Sequence, residues 1–118
     1  MKKILILIPL FFANLGVCAK EDMTKNDVIE EVCGATADYA KSVMDSRQND
    51  VSLKESIANI NAKIPKGSIQ DYYKAIAYEA YSQKKWESDE YKNNASVEFG
   101  NRTYLSCIKS FEKELSGY

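Results

Sequence analysis

The sequence contains three cysteines, at positions 18, 33 and 107, and no histidine. Histidine is the commonest general base and the commonest metal ligand, and serine or cysteine nucleophiles are usually activated by it. Cys33 and Cys107 are too far apart in the chain for a C-x-x-C redox motif, and two cysteines alone do not make a structural zinc site. The chemistry that remains for this pair is a disulfide.

The other reactive side chains also argue against catalysis. Paired carboxylates occur at Glu30-Glu31 and Asp89-Glu90, but neighbouring residues on a helix point in different directions, so we interpret them as solvated surface charges. The sequence contains no glycine-rich phosphate loop. We therefore predict that the protein is not an enzyme and needs no metal or cofactor, with a hydrolase that uses carboxylates alone as the open alternative.

The first 19 residues have the pattern of a secretory signal peptide. Lys2 and Lys3 precede an apolar run over residues 4–12, and Val17-Cys18-Ala19 resembles an A-x-A cleavage site, which places cleavage after Ala19. The apolar run is shorter than the roughly 20 residues of a membrane span, so we expect no stable membrane anchor after cleavage. An uncleaved anchor and a lipid on Cys18 are alternatives, although Val17 departs from the small residue that a lipobox requires.

Export to a bacterial periplasm would put the mature chain, residues 20–118, where disulfides persist. Cleavage removes two lysines and no acidic residue, which changes the net charge from −1 to −3. The charges are mixed along the chain without a basic patch, so we expect no nucleic-acid partner. A Cys33–Cys107 bridge would close a loop of roughly 75 residues and contribute about 4 kcal/mol. Two unpaired, buried cysteines are the alternative.

Apolar residues recur at helical spacing through the mature chain, which predicts one all-α domain, a four-helix bundle whose disulfide joins the first and last helices. The first helix is capped by Thr24 with Asp27, or by Asn26, and capping patterns at Ser52 and Ser68 begin the second and third. A glycine at Gly100 predicts either a kink or the close approach of another backbone. The helices are expected at residues 27–47, from the Ser52 cap to Pro65, at residues 69–84, and from Ser88 to Leu115.

Aromatic residues are concentrated in the third helix and the link that follows it. The third helix is expected to bury one stripe, made of Ile69, Tyr72, Tyr73, Ile76, Ala77 and Ala80. Tyr78, Tyr81 and Trp86 are then the candidates for an exposed protein-binding surface, with Lys84 and Lys85 as a basic rim suited to an acidic partner. Tyrosine and tryptophan are enriched in binding hot spots, but half-buried supporting residues or a solvated charge pair would give the same pattern.

The chain resembles the small helical periplasmic proteins with one disulfide that bacterial genomes and prophages encode. The resemblance is carried by the signal, by Cys33, by the runs at residues 40–48 and 77–81, and by Phe99, Tyr104 and Cys107 in the last helix. The architecture is also similar to helical immunity proteins that neutralise cell-wall amidase toxins, and to acid-stress chaperones with a single disulfide. No family motif places functional residues on particular positions of this sequence.

These observations favour a periplasmic protein that binds a protein partner and occludes it, as an immunity protein or an inhibitor of a cell-wall-directed enzyme does. An acid- or envelope-stress chaperone is the first alternative; without histidine, its trigger would be carboxylates that protonate near pH 4–5. A prophage envelope protein that excludes superinfecting phage is the second. Carriage of a lipid or small ligand also stays open, because an all-α bundle can hold a pocket.

Overall fold

A computed structural model of the chain describes residues 24–116, which hold four α-helices and no strand. The helices are α1 (Lys25–Gln48), α2 (Leu53–Lys63), α3 (Ser68–Ser82) and α4 (Asp89–Ser116). The predicted all-α four-helix bundle is confirmed. The predicted signal peptide, its cleavage site and Cys18 lie outside the described residues. None of the helices in residues 24–116 combines the length and apolar character needed to cross a membrane.

The chain divides into two units, residues 1–31 and 32–118. The described part of the first unit is the beginning of α1, which starts with a reciprocal capping box. The amide of Asp27 donates to Thr24 Oγ1 at 3.2 Å, and the amide of Thr24 donates to Asp27 Oδ2 at 3.1 Å. Thr24 rather than Asn26 is therefore the capping residue, because its pair with Asp27 satisfies two amides that the helix leaves free.

The second unit contains the hydrophobic core, to which all four helices contribute. Small residues allow the helices to approach, and one large side chain from α1, Met44, is almost fully buried at its centre. The core cluster comprises Ala40, Val43 and Met44 of α1, Ile60 of α2, Ile76, Ala77 and Ala80 of α3, and Phe99 of α4. The long helices α1 and α4 thus bury only part of their length against the shorter helices α2 and α3.

Gly100 of α4 lies directly against the backbone of α1. A Cβ atom at this position would lie 3.3 Å from the carbonyl oxygen of Ala37 and 3.4 Å from Cβ of Lys41. Helix α4 continues through this glycine without interruption. Of the two predictions made for Gly100, the close approach of another backbone is therefore the one observed.

The predicted disulfide is present and joins α1 to α4. The Cα atoms of Cys33 and Cys107 are 5.5 Å apart, within the usual range, and the two residues are 74 positions apart in the chain. Both cysteines are buried, but neither belongs to the core cluster. The bond therefore ties α1 and α4 together outside the core that fixes their other contacts.

The ends of α2 and α3 show where local capping patterns are sufficient and where they fail. The predicted cap at Ser52 is confirmed, because its hydroxyl accepts a hydrogen bond from the amide of Glu55 at 3.1 Å. The predicted cap at Ser68 is wrong: the N-cap of α3 is Gly67, with φ at 153° and no side-chain cap hydrogen bond. That backbone conformation is one that glycine adopts easily, so Ser68 becomes the first residue of the helix.

Helix α3 also differs from prediction in its end and its buried face. It ends at Ser82 rather than Lys84, because Gln83 is extended and its carbonyl accepts hydrogen bonds from α1. Ile69 is 66% exposed and Tyr72 is 44% exposed, although both lie on the predicted buried stripe. Gln70 is buried instead, and its Nε2 donates to the carbonyl of Ile64 at 2.8 Å, which ties the first turn of α3 to the end of α2.

Candidate protein-binding surface

The link between α3 and α4, residues 83–88, carries three of the five predicted binding residues and is held by the end of α1. Gln48, which is fully buried, donates from Nε2 to the carbonyl of Lys84 at 2.8 Å. Its Oε1 accepts a hydrogen bond from the amide of Trp86 at 2.7 Å. One side-chain amide thus satisfies a donor and an acceptor of the link backbone, so the position of Trp86 is fixed by α1.

Arg47 gives the link a second attachment to α1. Its Nε and Nη2 both donate to the carbonyl of Gln83 at 3.3 Å, and its guanidinium lies 5.7 Å from the centroid of the Tyr81 ring. Arg47 and Gln48 are adjacent in sequence, and they reach consecutive carbonyls, those of Gln83 and Lys84. This pair replaces the helical hydrogen bonds that α3 gives up where it ends.

Tyr81, a predicted binding residue, is half-buried and has a structural role. Its hydroxyl donates to the carbonyl of Val51 at 2.7 Å and lies 3.0 Å from Oγ of Ser56, which is therefore the donor in that second bond. The ring packs against the hydrophobic core. Tyr81 thus connects α3 to the start of α2 and offers little free surface to a partner.

Trp86 and Lys84 form the part of the predicted surface that the structure brings together. The ammonium group of Lys84 lies 4.2 Å from the centroid of the Trp86 ring, in cation–π geometry. Tyr91 of α4, which is 53% exposed, packs against the ring of this tryptophan with 5.2 Å between ring centroids. We call these three residues the Trp86 patch. They adjoin a cavity of about 240 Å³ that extends to Met44 and Arg102.

The two remaining predicted residues stand apart from the Trp86 patch. Lys85 forms an ion pair with Asp50, in the turn that follows α1, so its charge is already paired with a carboxylate. Tyr78 is 52% exposed on α3. Within residues 24–116 its ring and hydroxyl make no hydrogen bond or ring contact, which leaves the exposed half of the side chain available to a partner.

Two residues of this site were missed from the sequence. Tyr91 was not among the predicted binding residues, and its contact with Trp86 is what assigns it to the patch. Gln48 lies just beyond residue 47, the predicted end of the first helix. Its periodicity offered a signal, since it lies four residues after the buried Met44, but a glutamine at a helix end normally faces solvent.

A second cavity, of about 320 Å³, lies between α1, α2 and α3 and is lined on one side by Tyr39. The rings of Tyr39 and Tyr73 stack with centroids 4.6 Å apart. The buried hydroxyl of Tyr39 has no hydrogen-bond partner among the described residues. Burial, with smaller contributions from Tyr73 and Tyr81, raises the pKa of Tyr39 to about 12. This phenol therefore stays neutral throughout the physiological range.

Within residues 24–116, no group of three or more cysteine, aspartate or glutamate side chains is arranged to hold a metal ion. Comparison with known proteins adds no relative, because no protein-family model, curated protein or solved structure matches the chain.

Proposed function

We propose that the chain is an exported periplasmic protein that binds one protein partner and occludes it, as an immunity protein or an inhibitor of a cell-wall-directed enzyme does. The observation that carries the proposal is the Trp86 patch, in which a tryptophan and a lysine, on a link that α1 fixes through Gln48, meet a tyrosine of α4. Aromatic residues that are already positioned lose little conformational entropy on binding, which is the usual property of a hot spot.

The charges around the patch indicate the chemistry of the partner. Lys84 lies on the tryptophan ring, and Arg102 lines the adjoining cavity, as does Glu98. The lining of this cavity thus carries two positive charges and one negative charge beside two aromatic rings. A partner with an apolar side chain for the cavity and an acidic group at its rim would match it. A protein interface of about 800 Å² per partner would extend beyond the patch.

The first test is an affinity pull-down of the oxidised protein from periplasmic extract, read by mass spectrometry. We expect one partner to be recovered in stoichiometric amount. Substitution Trp86→Ala should weaken its binding by about 30-fold or more, the effect typical of a hot-spot tryptophan. The variant keeps the fold, because Gln48 holds the backbone of Trp86 and not its ring. Recovery of no specific protein under native conditions would refute the proposal.

Tyr104→Ala is the matched control, since Tyr104 is a partly exposed tyrosine of α4 outside the patch. It should leave the affinity unchanged. If a partner is found, its enzymatic activity is measured with and without the protein, and occlusion predicts stoichiometric inhibition. A broad mixture of captured proteins that grows at low pH would favour the chaperone instead, and a phage envelope protein in the eluate would favour superinfection exclusion.

A further inference from the structure

An apolar groove of about 490 Å³ lies between α1, α3 and α4 beside the disulfide. Tyr72 and Tyr73 of α3 form one wall, Phe111 of α4 and Val32 of α1 contribute to the others, and Cys107 adjoins them. The volume is within the range of small-molecule sites, roughly 300–1,000 Å³. The groove shares no lining residue with the Trp86 patch or its cavity.

The groove exposes apolar surface that the sequence pattern assigns to the interior. Tyr72 lies on the buried stripe of α3, four residues before Ile76, yet it is 44% exposed, and Val32 of α1 is 46% exposed. Further along the same stripe, Ile76, Ala77 and Ala80 are buried. The apolar stripe of α3 therefore continues past the end of the core, where the ring of Tyr72 contacts that of Tyr73 but stays 44% exposed at the groove.

Besides the phenol hydroxyls of Tyr72 and Tyr73, which can donate or accept, the groove is lined by three polar side chains of α1 and α4. The hydroxyl of Thr36 donates to the carbonyl of Val32 at 2.9 Å, and that of Ser110 donates to the carbonyl of Ser106 at 3.0 Å. Because each hydroxyl has a single proton, both can only accept a further hydrogen bond. Glu114 is the one charged residue in the lining, and its carboxylate also accepts only. The side chains of α1 and α4 thus favour a ligand that donates hydrogen bonds or is positively charged.

We propose that this groove binds a small amphiphile with an ammonium head group, the apolar tail lying against Val32 and Phe111 and the head between Glu114 and the tyrosine wall. Aromatic faces attract ammonium groups by about 0.5–2 kcal/mol, and the half-exposed Tyr72 supplies such a ring, whereas one face of Tyr73 is stacked on Tyr39. The tail covers apolar surface that is otherwise exposed to water. This activity goes beyond occlusion of a protein partner and uses a different surface, so either proposal can fail alone.

The test is isothermal titration calorimetry of the oxidised protein with three probes that share a tail and differ in head group. Each probe is used below its micellar concentration or its solubility limit. The probes are octyltrimethylammonium, octanoate and octanol. We expect octyltrimethylammonium to bind at one site, and octanoate to bind at least tenfold more weakly because Glu114 repels it. Equal affinity for all three probes, or no binding of the ammonium probe, would overturn the proposal.

Substitutions separate the two features of the site. Glu114→Gln should weaken octyltrimethylammonium about tenfold, whereas Glu112→Gln, which changes an exposed carboxylate of the same helix outside the groove, should have no effect. Tyr72→Leu keeps the wall apolar but removes a ring, so it should weaken the ammonium probe several-fold and leave octanol unchanged. Equal losses in the Glu114 and Glu112 variants would overturn the proposal, as would an unaltered preference for the ammonium probe in the Tyr72 variant.

A fourth probe addresses the other occupant that the same charge could attract, a lysine side chain of a partner protein. N-acetyl-lysine methylamide carries an ammonium group without a long free tail. We expect it to bind at least tenfold more weakly than octyltrimethylammonium. Comparable affinity would overturn the amphiphile proposal in favour of a protein contact. Circular dichroism of every variant verifies that each retains its helical content and unfolding midpoint. Weaker binding can then be assigned to the substituted side chain and not to unfolding.

Discussion

At the scale of single residues, two tyrosines with the same chemistry have opposite roles. The hydroxyl of Tyr81 exchanges hydrogen bonds with Val51 and Ser56, whereas the buried hydroxyl of Tyr39 has no partner among the described residues. A buried polar group without a partner is destabilising, and a satisfied one contributes about 1 kcal/mol or more. The same substitution at these two sites therefore separates their contributions.

We expect Tyr81→Phe to lower the free energy of unfolding by about 1–2 kcal/mol, because it leaves the Val51 carbonyl and the Ser56 hydroxyl without their partner. Tyr39→Phe, which removes an unpartnered hydroxyl, should be neutral or stabilising. Urea unfolding of both variants measures the difference. A loss at Tyr39 as large as the loss at Tyr81 would show that the Tyr39 hydroxyl is hydrogen-bonded in solution.

Tyr39 also makes stability depend on alkaline pH. Burial, then Tyr73 and Tyr81, raises its pKa from 10.0 to about 12. Because the folded state favours the neutral phenol, this stability is fully present below pH 10. It is lost as the pH rises from about 10 to about 12, where the unfolded chain releases the proton first.

Thermal unfolding across pH 9–12 tests this dependence. We expect the Tyr39→Phe variant to lose less stability than the parent protein between pH 10 and 12. In the parent, the phenol of Tyr39 should titrate near pH 12 by ultraviolet absorbance, and this step should be absent from the variant. Identical pH profiles for the two proteins would contradict the assignment.

At the scale of the elements, the end of α1 determines the geometry of the link between α3 and α4. Gln48 holds both the carbonyl of Lys84 and the amide of Trp86, and Arg47 holds the carbonyl of Gln83. These contacts span more than 30 positions in the chain. They explain why α3 stops at Ser82, since the next carbonyls are bound by α1 and not by the helix itself.

We expect Gln48→Leu to destabilise the protein by about 2 kcal/mol, because it leaves a donor and an acceptor of the link backbone unsatisfied. The Trp86 amide should exchange its hydrogen faster, and the fluorescence of the single tryptophan should shift to the red as the ring gains contact with water. Asn49→Ala is the control, since Asn49 is exposed in the turn after α1 and its side chain bonds only to the carbonyl of Asp45. An unchanged exchange rate of the Trp86 amide in the Gln48 variant would show that the link keeps its conformation without Gln48.

Local patterns in the sequence predicted the helices well and their ends less well. The cap at Ser52 depends on residues three positions apart, so the sequence contains all the information that it needs. The end of α3 depends on Gln48, and the exposure of Ile69 and Tyr72 depends on how far the neighbouring helices extend. No periodicity carries that information. The sequence predicted a binding surface that included Trp86 and Lys84. Only tertiary contacts separate these two residues from Tyr81 and Lys85, which have other roles.

At the scale of the whole molecule, the disulfide joins residues that the core does not hold. Cys33 and Cys107 are buried outside the core cluster, so the bond adds a link between α1 and α4 beyond the contacts of the core. The pairing could be predicted because two cysteines, each with one possible partner, lie outside the segment that we expect to be cleaved. Its position relative to the core could not, because it depends on the lengths of α2 and α3.

We expect the double variant Cys33→Ser, Cys107→Ser to lose about 4 kcal/mol of stability relative to the oxidised protein, with the same helical content at low temperature. Urea unfolding monitored by circular dichroism measures both. The oxidised protein treated with a reductant should match the double variant. A loss below about 1 kcal/mol would mean that the unfolded chain is already held compact without the bond.

The same bond has a consequence for any process that applies force to the chain. The 74-position interval between Cys33 and Cys107 contains α2, α3, the Trp86 patch and the core, and it would extend to about 250 Å if it were pulled straight. While the disulfide is intact, tension between the two ends of the protein passes from Cys33 to Cys107 directly and bypasses that interval. A motor that threads a protein from one end would reach the loop that the disulfide closes at Cys33. It would then have to pull two segments of the chain through its pore together. For the interval between the two cysteines, the resistance to tension applied at the chain ends is therefore set by the disulfide and not by the strength of helix packing.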